Sequence, residues 1–124
     1  MNKEQVLALL KTYGDAWVTH DPDKIVSIFT DDATYHDPHE PLNQGVEAIR
    51  LYWERKIVGE QSDISFELKN VWVDADTAIA EWIAEFTDIK RNLRVHLEEV
   101  AILGLSDGKF SSLREYYKST KTPL

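Results

Sequence analysis

Hydrophobic residues in the first half of the chain recur at helical spacing. Residues Lys3 to Thr19 are predicted to form one amphipathic helix with an aromatic-rich stripe, which consists of Val6, Leu9, Leu10, Tyr13 and Trp17. Asp21-Pro22 is typical of a helix N-cap and first helical residue, so a second, short helix is expected there. That helix is expected to bury Phe29 and to end at residues 30–32. Residues 43–45 are expected to form a loop, and a third helix is predicted from Val46 to about Ile57.

The second half alternates apolar and polar residues with a period of two, which predicts β-strands. The expected strands cover residues 64–73, 77–89, 93–105 and 110–117. Short turns rich in Asp, Asn and Gly separate the last three, and such connections join antiparallel neighbours. A further short strand is predicted before the third helix, and a polar tail follows Lys118.

The order of elements is therefore helix, helix, strand, helix and four antiparallel strands. This order predicts an α+β fold in which three N-terminal helices pack on a curved, mostly antiparallel sheet, with the first helix across its concave face. The length and the lack of repeats or linkers predict a single domain over residues 1–124.

Composition narrows the possible partners. Lys and Arg total 14 against 22 Asp and Glu, so the formal net charge is -8 and nucleic acids and anionic membranes would be repelled. There is no cysteine for a disulfide, a thiolate nucleophile or a Cys-based zinc site. The polar N-terminus does not resemble a signal peptide and no apolar run could span a bilayer, so a cytoplasmic protein is expected.

Asp37-Pro38 is the first candidate for chemistry. Pro38 cannot donate a backbone hydrogen bond and biases Asp37 toward an extended backbone, so the strand should end there, at a sheet edge or pocket mouth. Asp37 is then either a turn carboxylate that caps its own loop or a positioned base. His36 and His39 flank it, but no third potential ligand lies at a spacing typical of a metal site, so no metal is predicted.

Polar residues also interrupt apolar strand faces. Glu99 lies on the same face as Leu97 and Ala101, and Glu115 lies on the same face as Leu113 and Tyr117. Burial of an unpaired carboxylate is costly or raises its pKa. Glu99 is therefore expected to be paired, protonated or facing a cavity. The alternative is a solvent-facing Glu99, or one paired with Arg94 or Arg114. On the preceding strand, small residues alternate with Trp82 and Phe86, which leaves room beside an aromatic wall.

These features resemble the nuclear transport factor 2-like superfamily, and within it the SnoaL-like and ketosteroid isomerase-like proteins. The resemblance spans nearly the whole chain and rests on the order of short segments, namely the helix with Tyr13, residues 25–34, Asp37-Pro38, residues 45–49 and residues 107–109. It implies a cone-shaped α+β barrel around a mostly apolar pocket.

The resemblance also implies residue roles. Tyr13 matches the isomerase's oxyanion-hole tyrosine, Asp37 matches its catalytic base, and Glu99 falls at or within one residue of its protonated acid. Trp53 takes the place of a supporting tyrosine and Glu115 adds a charge, so a small polar molecule or a cation is expected rather than a steroid. The ligand-binding candidates are Trp17, Phe29, His39, Trp53, Trp82, Phe86, Leu113, Glu115 and Tyr117.

Two classes of function remain open. The first is a cofactor-independent acid-base enzyme of the isomerase, cyclase or dehydratase type, acting on a small carbonyl-containing or polyketide-like compound. The second is a non-catalytic ligand-binding or dimeric interaction domain. A nuclear-transport or secretion adaptor ranks below both, because the sequence identifies no protein-binding surface for it. Apolar residues on the outer sheet face predict a homodimer through that face, and they are Ile79, Ile83, Val100 and Ile102.

Overall fold

A computed structural model describes all residues from 1 to 124, in an order that confirms the predicted α+β class. The helices are α1 (Lys3–Val18), α2 (Pro22–Val26) and α3 (Val46–Tyr52), and α3 continues as a π-helical segment over Trp53–Val58. The strands are β1 (Phe29–His36), β2 (Asn43–Gln44), β3 (Gln61–Asp74), β4 (Thr77–Asp88), β5 (Leu93–Ser106) and β6 (Lys109–Pro123).

The six strands form one mixed, curved sheet in the order β2-β1-β6-β5-β4-β3. Strands β3 to β6 are the predicted antiparallel meander, whereas β1 pairs with β6 in parallel. The β5–β6 turn places Asp107 and Gly108 at φ 54° and 73°, the left-handed conformations that a tight hairpin requires. Register shifts within β3 and near the end of β5 mark bulges, which increase the local twist of a sheet.

Local capping sets where the first two helices begin. Asn2 and Gln5 form a capping box at α1, in which the Gln5 N–H donates to the Asn2 side chain at 2.9 Å and the Asn2 N–H donates to the Gln5 side chain at 2.8 Å. Asp21 caps α2 as predicted, because its carboxylate accepts the Lys24 N–H at 3.0 Å. None of the helices has the length and apolar character needed to cross a membrane.

Three predicted boundaries were wrong because long-range pairing overrides local pattern. Phe29 begins β1 opposite Phe110 of β6, so residues 30–32 lie in a strand and do not end a helix. Residues 43–44, predicted as loop, pair with β1. The polar residues 118–123 continue β6, because β5 is long enough to pair with them as far as Pro123.

Helix α1 lies against the sheet at β3, and the two elements enclose one continuous hydrophobic core with the inward faces of β4, β5 and β6. Gly14 allows the close approach of α1 to β3. A Cβ atom at this position would lie 2.4 Å from Cδ1 of Phe66, well inside van der Waals contact. The absence of a side chain at position 14 therefore determines how near the helix sits to the sheet.

Candidate functional site

A cavity of about 250 Å³ lies within the concave side of the sheet, between α1, the π-helical segment and strands β1, β4, β5 and β6. Three carboxyl groups line its inner part, those of Asp37, Glu99 and Glu115, although each residue is at most 7% exposed. Carboxyl groups brought together away from water perturb one another strongly. The cavity is therefore the part of the molecule where acid-base chemistry is concentrated.

Asp37 immediately follows β1 and is 4% exposed. Its Oδ2 accepts a hydrogen bond from Tyr52 Oη at 2.8 Å, and its Oδ1 accepts from Tyr117 Oη at 2.9 Å. The backbone N–H of His39 also donates to Oδ1, at 3.0 Å. The carboxylate thus caps its own loop, as expected for a turn carboxylate. It also faces the cavity, as a positioned base would.

Glu115 lies deeper, on the inward face of β6. Its Oε1 accepts from Tyr35 Oη at 2.8 Å and from Tyr13 Oη at 3.2 Å, and the two phenol oxygens are 3.0 Å apart. Burial and then the charge of Asp37 raise the pKa of Glu115 to about 7, against the lowering effect of the hydrogen bonds from its neighbours. Glu115 therefore changes its protonation state near neutral pH.

Glu99 faces Glu115 from the adjacent strand β5 and is 4% exposed. Burial, followed by the charge of Glu115, raises the pKa of Glu99 well above its usual range. The Oε2 atom of Glu99 is buried and has no hydrogen-bond partner. The alternative of an exposed Glu99 paired with an arginine does not occur.

The four phenols around these carboxyls keep their protons. Burial is the largest cause that raises the pKa of each of them, and the nearby carboxylate charges raise it further. The four residues are Tyr13, Tyr35, Tyr52 and Tyr117. As neutral phenols they act as hydrogen-bond donors to Asp37 and Glu115, which stabilises negative charge inside the cavity.

Eight of the residues singled out from the sequence line this cavity, and they are Tyr13, Trp17, Asp37, His39, Phe86, Glu99, Glu115 and Tyr117. Trp17 is held by a hydrogen bond from its Nε1 to Gln61 Oε1 at 2.8 Å. The His39 ring packs against Tyr117, with ring centroids 5.4 Å apart. His36 and His39 do not form a metal site with a third residue, because no three His, Asp or Glu side chains are grouped suitably.

Four predicted ligand-binding residues lie outside the cavity lining, and they are Phe29, Trp53, Trp82 and Leu113. All four belong to the hydrophobic core. The Tyr13 ring packs against Trp82 and Trp53, with centroids 5.1 Å and 5.6 Å away. These aromatic residues therefore support the wall from behind and do not form its surface.

Three important residues of the site were missed, namely Tyr35, Tyr52 and Gln61. Tyr35 shares strand parity with Asp37, and this signal was available in the sequence. Tyr52 precedes Trp53, which the resemblance had put in the place of a supporting tyrosine, and it is Tyr52 that donates to Asp37. The π-helical segment after Tyr52 fits a functional role, since such segments often occur at functional sites. Gln61 had no signal in the sequence.

The bent sheet closed by helices around an acidic cavity is the nuclear transport factor 2-like cone fold, as predicted. The chain belongs to the SnoaL-like domain family, which matches residues 10–113. Comparison with curated protein sequences gives no match.

Solved structures share this fold across nearly the whole chain. One of them is the epoxide hydrolase/cyclase-like enzyme SalBIII, which has a role in pyran ring formation in the polyether salinomycin. It is 26% identical to this chain, with a TM-score of 0.78 and 95% of each chain covered. Delta 5-3-ketosteroid isomerase from Mycobacterium sp. is 16% identical, with a TM-score of 0.78 over 95% of this chain and 98% of the isomerase. A ketosteroid isomerase-like protein from Catenulispora acidiphila, in complex with trimethylamine, is 16% identical, with a TM-score of 0.80 over 89% of this chain and 85% of that protein.

Proposed function

We propose that this protein is a cofactor-independent acid-base enzyme, of the isomerase, cyclase or dehydratase type, that moves a proton on a small polar carbonyl-containing or polyketide-like compound. The observation that carries the proposal is Glu115, a buried carboxyl whose pKa is raised to about 7 between the carboxyl groups of Glu99 and Asp37. A group with a pKa near the working pH both gives and takes protons efficiently.

In this proposal Asp37 is the base that removes a proton from carbon, since its carboxyl group lines the cavity and is held in place by Tyr52 and Tyr117. Glu99 and Glu115 share the proton that is delivered to the developing oxyanion. Tyr13 donates to Glu115 in the structure. Its direct role as an oxyanion-hole donor therefore depends on protonation of Glu115, which releases the phenol to the ligand.

Deuterium exchange tests the proposal without knowledge of the substrate. Small ketones and β-dicarbonyl compounds are incubated with the protein in deuterated buffer, and loss of their α-proton signals is followed by NMR. We expect Asp37→Asn to lower the accelerated exchange by at least about a hundredfold. Asp31→Asn, at an exposed carboxylate on the same strand β1, is the matched control and should keep wild-type exchange. Undiminished exchange in a folded Asp37→Asn protein contradicts the role of Asp37.

The alternative function is non-catalytic binding of a small organic cation. Aromatic rings beside carboxylates favour such ligands, and Tyr52 and Tyr117 supply rings around Asp37, while Trp17 lines the same cavity. The fold relative from Catenulispora acidiphila, which was solved with trimethylamine, supports this alternative. Calorimetric titration with trimethylammonium chloride tests it. Binding that is lost in Asp37→Asn, without any accelerated exchange in the wild type, would favour the alternative over the enzyme.

We also propose that two copies associate through the outer sheet face. Ile79 and Ile102 are direct cross-strand neighbours there, and Ile79 is 39% exposed. On the same face, Val100 lies one pair further along, opposite Glu81, and Ile83 lies two pairs further along, opposite Glu98. Ile102→Lys should shift the sedimentation coefficient from that of a dimer to that of a monomer. A monomeric wild type at micromolar concentration contradicts this proposal.

A further inference from the structure

The cavity changes character along β5 and β6 from its inner end to its mouth. The register pairs Glu99 with Tyr117, then Leu97 with Ser119, then Val95 with Lys121. Every second residue of a strand faces the same side, so these three pairs form successive levels of one wall. The inner level is acidic, the middle level is apolar, and the level at the mouth brings in a lysine.

Apolar side chains from the other walls also line the cavity, and they are Trp17, Ile57 and Phe86. Phe86 is the cross-strand partner of Val95, so together with Leu97 and Val95 it places hydrophobic surface at and just beyond the middle level, between Glu99 and Lys121. A charged group resting at this level would lose its hydration without a compensating partner, which is costly. The middle level therefore favours a methylene or similar apolar portion of a ligand.

Charged residues form a rim at the mouth. Arg91 Nη1 lies 3.1 Å from Asp88 Oδ2 and 3.7 Å from Glu60 Oε1, while Lys56 Nζ lies 3.9 Å from the same Glu60 atom. Lys121 is exposed and forms an ion pair with none of the carboxylates. Three cationic side chains thus face two carboxylates, which leaves a local positive excess on a chain whose net charge is -8.

We propose that the ligand carries an anionic group at the end opposite its carbonyl, separated by a short apolar segment, and that Lys56, Arg91 and Lys121 bind this group. The inference rests on the proposed function for the carbonyl end. An anionic group is repelled from the inner level by Asp37 and Glu115, and only the rim offers it cations. Local fields of this kind orient a ligand as it enters.

Strand geometry sets the scale of the ligand. Glu99 and Val95 are four positions apart on β5, a span of about 13 Å at about 3.3 Å per residue. The flexible four-carbon stems of Lys56 and Lys121 reach back over part of this distance. A ligand with several carbon atoms between its carbonyl and its anionic group therefore fits, whereas one with adjacent groups does not span the apolar level.

The test compares three probes by isothermal titration calorimetry on the full chain. They are 7-oxooctanoate, its methyl ester, and 6-oxoheptyl phosphate, so that the carboxylate and phosphate sources of an anion are separated. We expect the carboxylate or the phosphate to bind at least about tenfold more tightly than the ester, with an affinity that falls as salt is added. The tighter of the two anionic probes identifies which group the rim accommodates.

A double variant, Lys56→Gln with Lys121→Gln, should abolish the preference for the anionic probes. Lys118→Gln is the matched control, because Lys118 is an exposed lysine on β6 whose side chain alternates to the outer face. Equal affinity for ester and anionic probes overturns the inference. So does an unchanged preference in the double variant, or the failure of both anionic probes to bind.

A further variant separates this inference from the proposed function. Asp37→Asn removes the proposed base but leaves the rim intact, so it should retain the preference for anionic probes. If deuterium exchange fails while that preference holds, the enzyme proposal fails and the anionic-ligand inference stands. If exchange is accelerated but the ester binds as well as the anionic probes, the anionic-ligand inference fails and the enzyme proposal stands.

Discussion

Glu99 and Glu85 are the same kind of side chain on neighbouring strands, but they lie on opposite faces of the sheet. Inside, burial and the charge of Glu115 raise the pKa of Glu99. Outside, the side chain of Glu85 is 43% exposed, and the hydrogen bond from His96, at 2.7 Å, lowers its pKa together with the charges of His96 and Arg94. A single layer of backbone therefore separates a proton-holding site from an ordinary surface ion pair.

The pKa values of the two glutamates are therefore shifted in opposite directions by their environments, since the residue type is the same. The outer cluster can exchange its partners for water and salt ions, so its contribution to stability is small. The inner carboxyl groups are buried, and the observed hydrogen-bond donors to Asp37 and Glu115 are phenols and one backbone N–H. The predictions below test whether the two faces differ as much as their geometry indicates, starting with the largest effect.

The largest expected effect is on the pH dependence of stability. The pKa of Glu115 is raised in the folded state from its ordinary 4.5 to about 7, so only the unfolded chain loses this proton between those pH values. The contribution of Glu115 to the free energy of unfolding should therefore be largest below about pH 4.5 and fall by about 3 kcal/mol as the pH rises to about 7. Urea denaturation at a series of pH values measures this fall.

Glu115→Gln should remove the part of the fall that Glu115 contributes, since the amide does not titrate, and Glu99, whose pKa is also raised, accounts for the part that remains. Glu85→Gln is the matched outer-face control and should leave the fall in place. Its own contribution has the opposite sign, because a lowered pKa stabilises the fold above the unfolded value and the benefit is lost in acid. If the free energy of unfolding of Glu115→Gln falls with pH as steeply as that of the wild type, the pKa of Glu115 is not raised in the folded state.

An intermediate effect is expected for Tyr35→Phe. The change removes the 2.8 Å hydrogen bond to Glu115 and leaves a buried acceptor with fewer donors, at a cost of about 1–3 kcal/mol in the free energy of unfolding. Because the hydrogen bond from Tyr35 lowers the pKa of Glu115, its loss should also move the stability fall to higher pH. Tyr116→Phe, at an exposed position on the same β6 strand, should change neither quantity.

The smallest effect is expected for His96→Gln on the outer face. Removal of this partner of Glu85 should lower stability slightly at low ionic strength, and the difference from the wild type should disappear in about 1 M salt. Thermal unfolding at low and high salt measures it. A large loss that persists in salt would show that the outer cluster is as protected from solvent as the inner one.

Much of this arrangement follows from sequence periodicity. Alternation along β5 and β6 predicted that Glu99 and Glu115 share a face with apolar neighbours, and the structure confirms both positions. The partners of Glu115 were not predictable in the same way. Its two phenols lie 102 and 80 residues earlier in the chain, at Tyr13 and Tyr35. Only the parallel pairing of β1 with β6 and the seating of α1 bring them together, and no local pattern encodes those contacts.

Gly14, beside Tyr13 on α1, sets a mechanical tolerance for the whole site. A methyl group there would collide with the Phe66 ring, so either that ring or the helix would have to move. Tyr13 Oη is already 3.2 Å from Glu115, near the outer limit of a hydrogen bond, so even a small lift would break the contact. The small size of Gly14 therefore helps to keep Tyr13 within hydrogen-bond distance of Glu115, and this hydrogen bond lowers the pKa of Glu115.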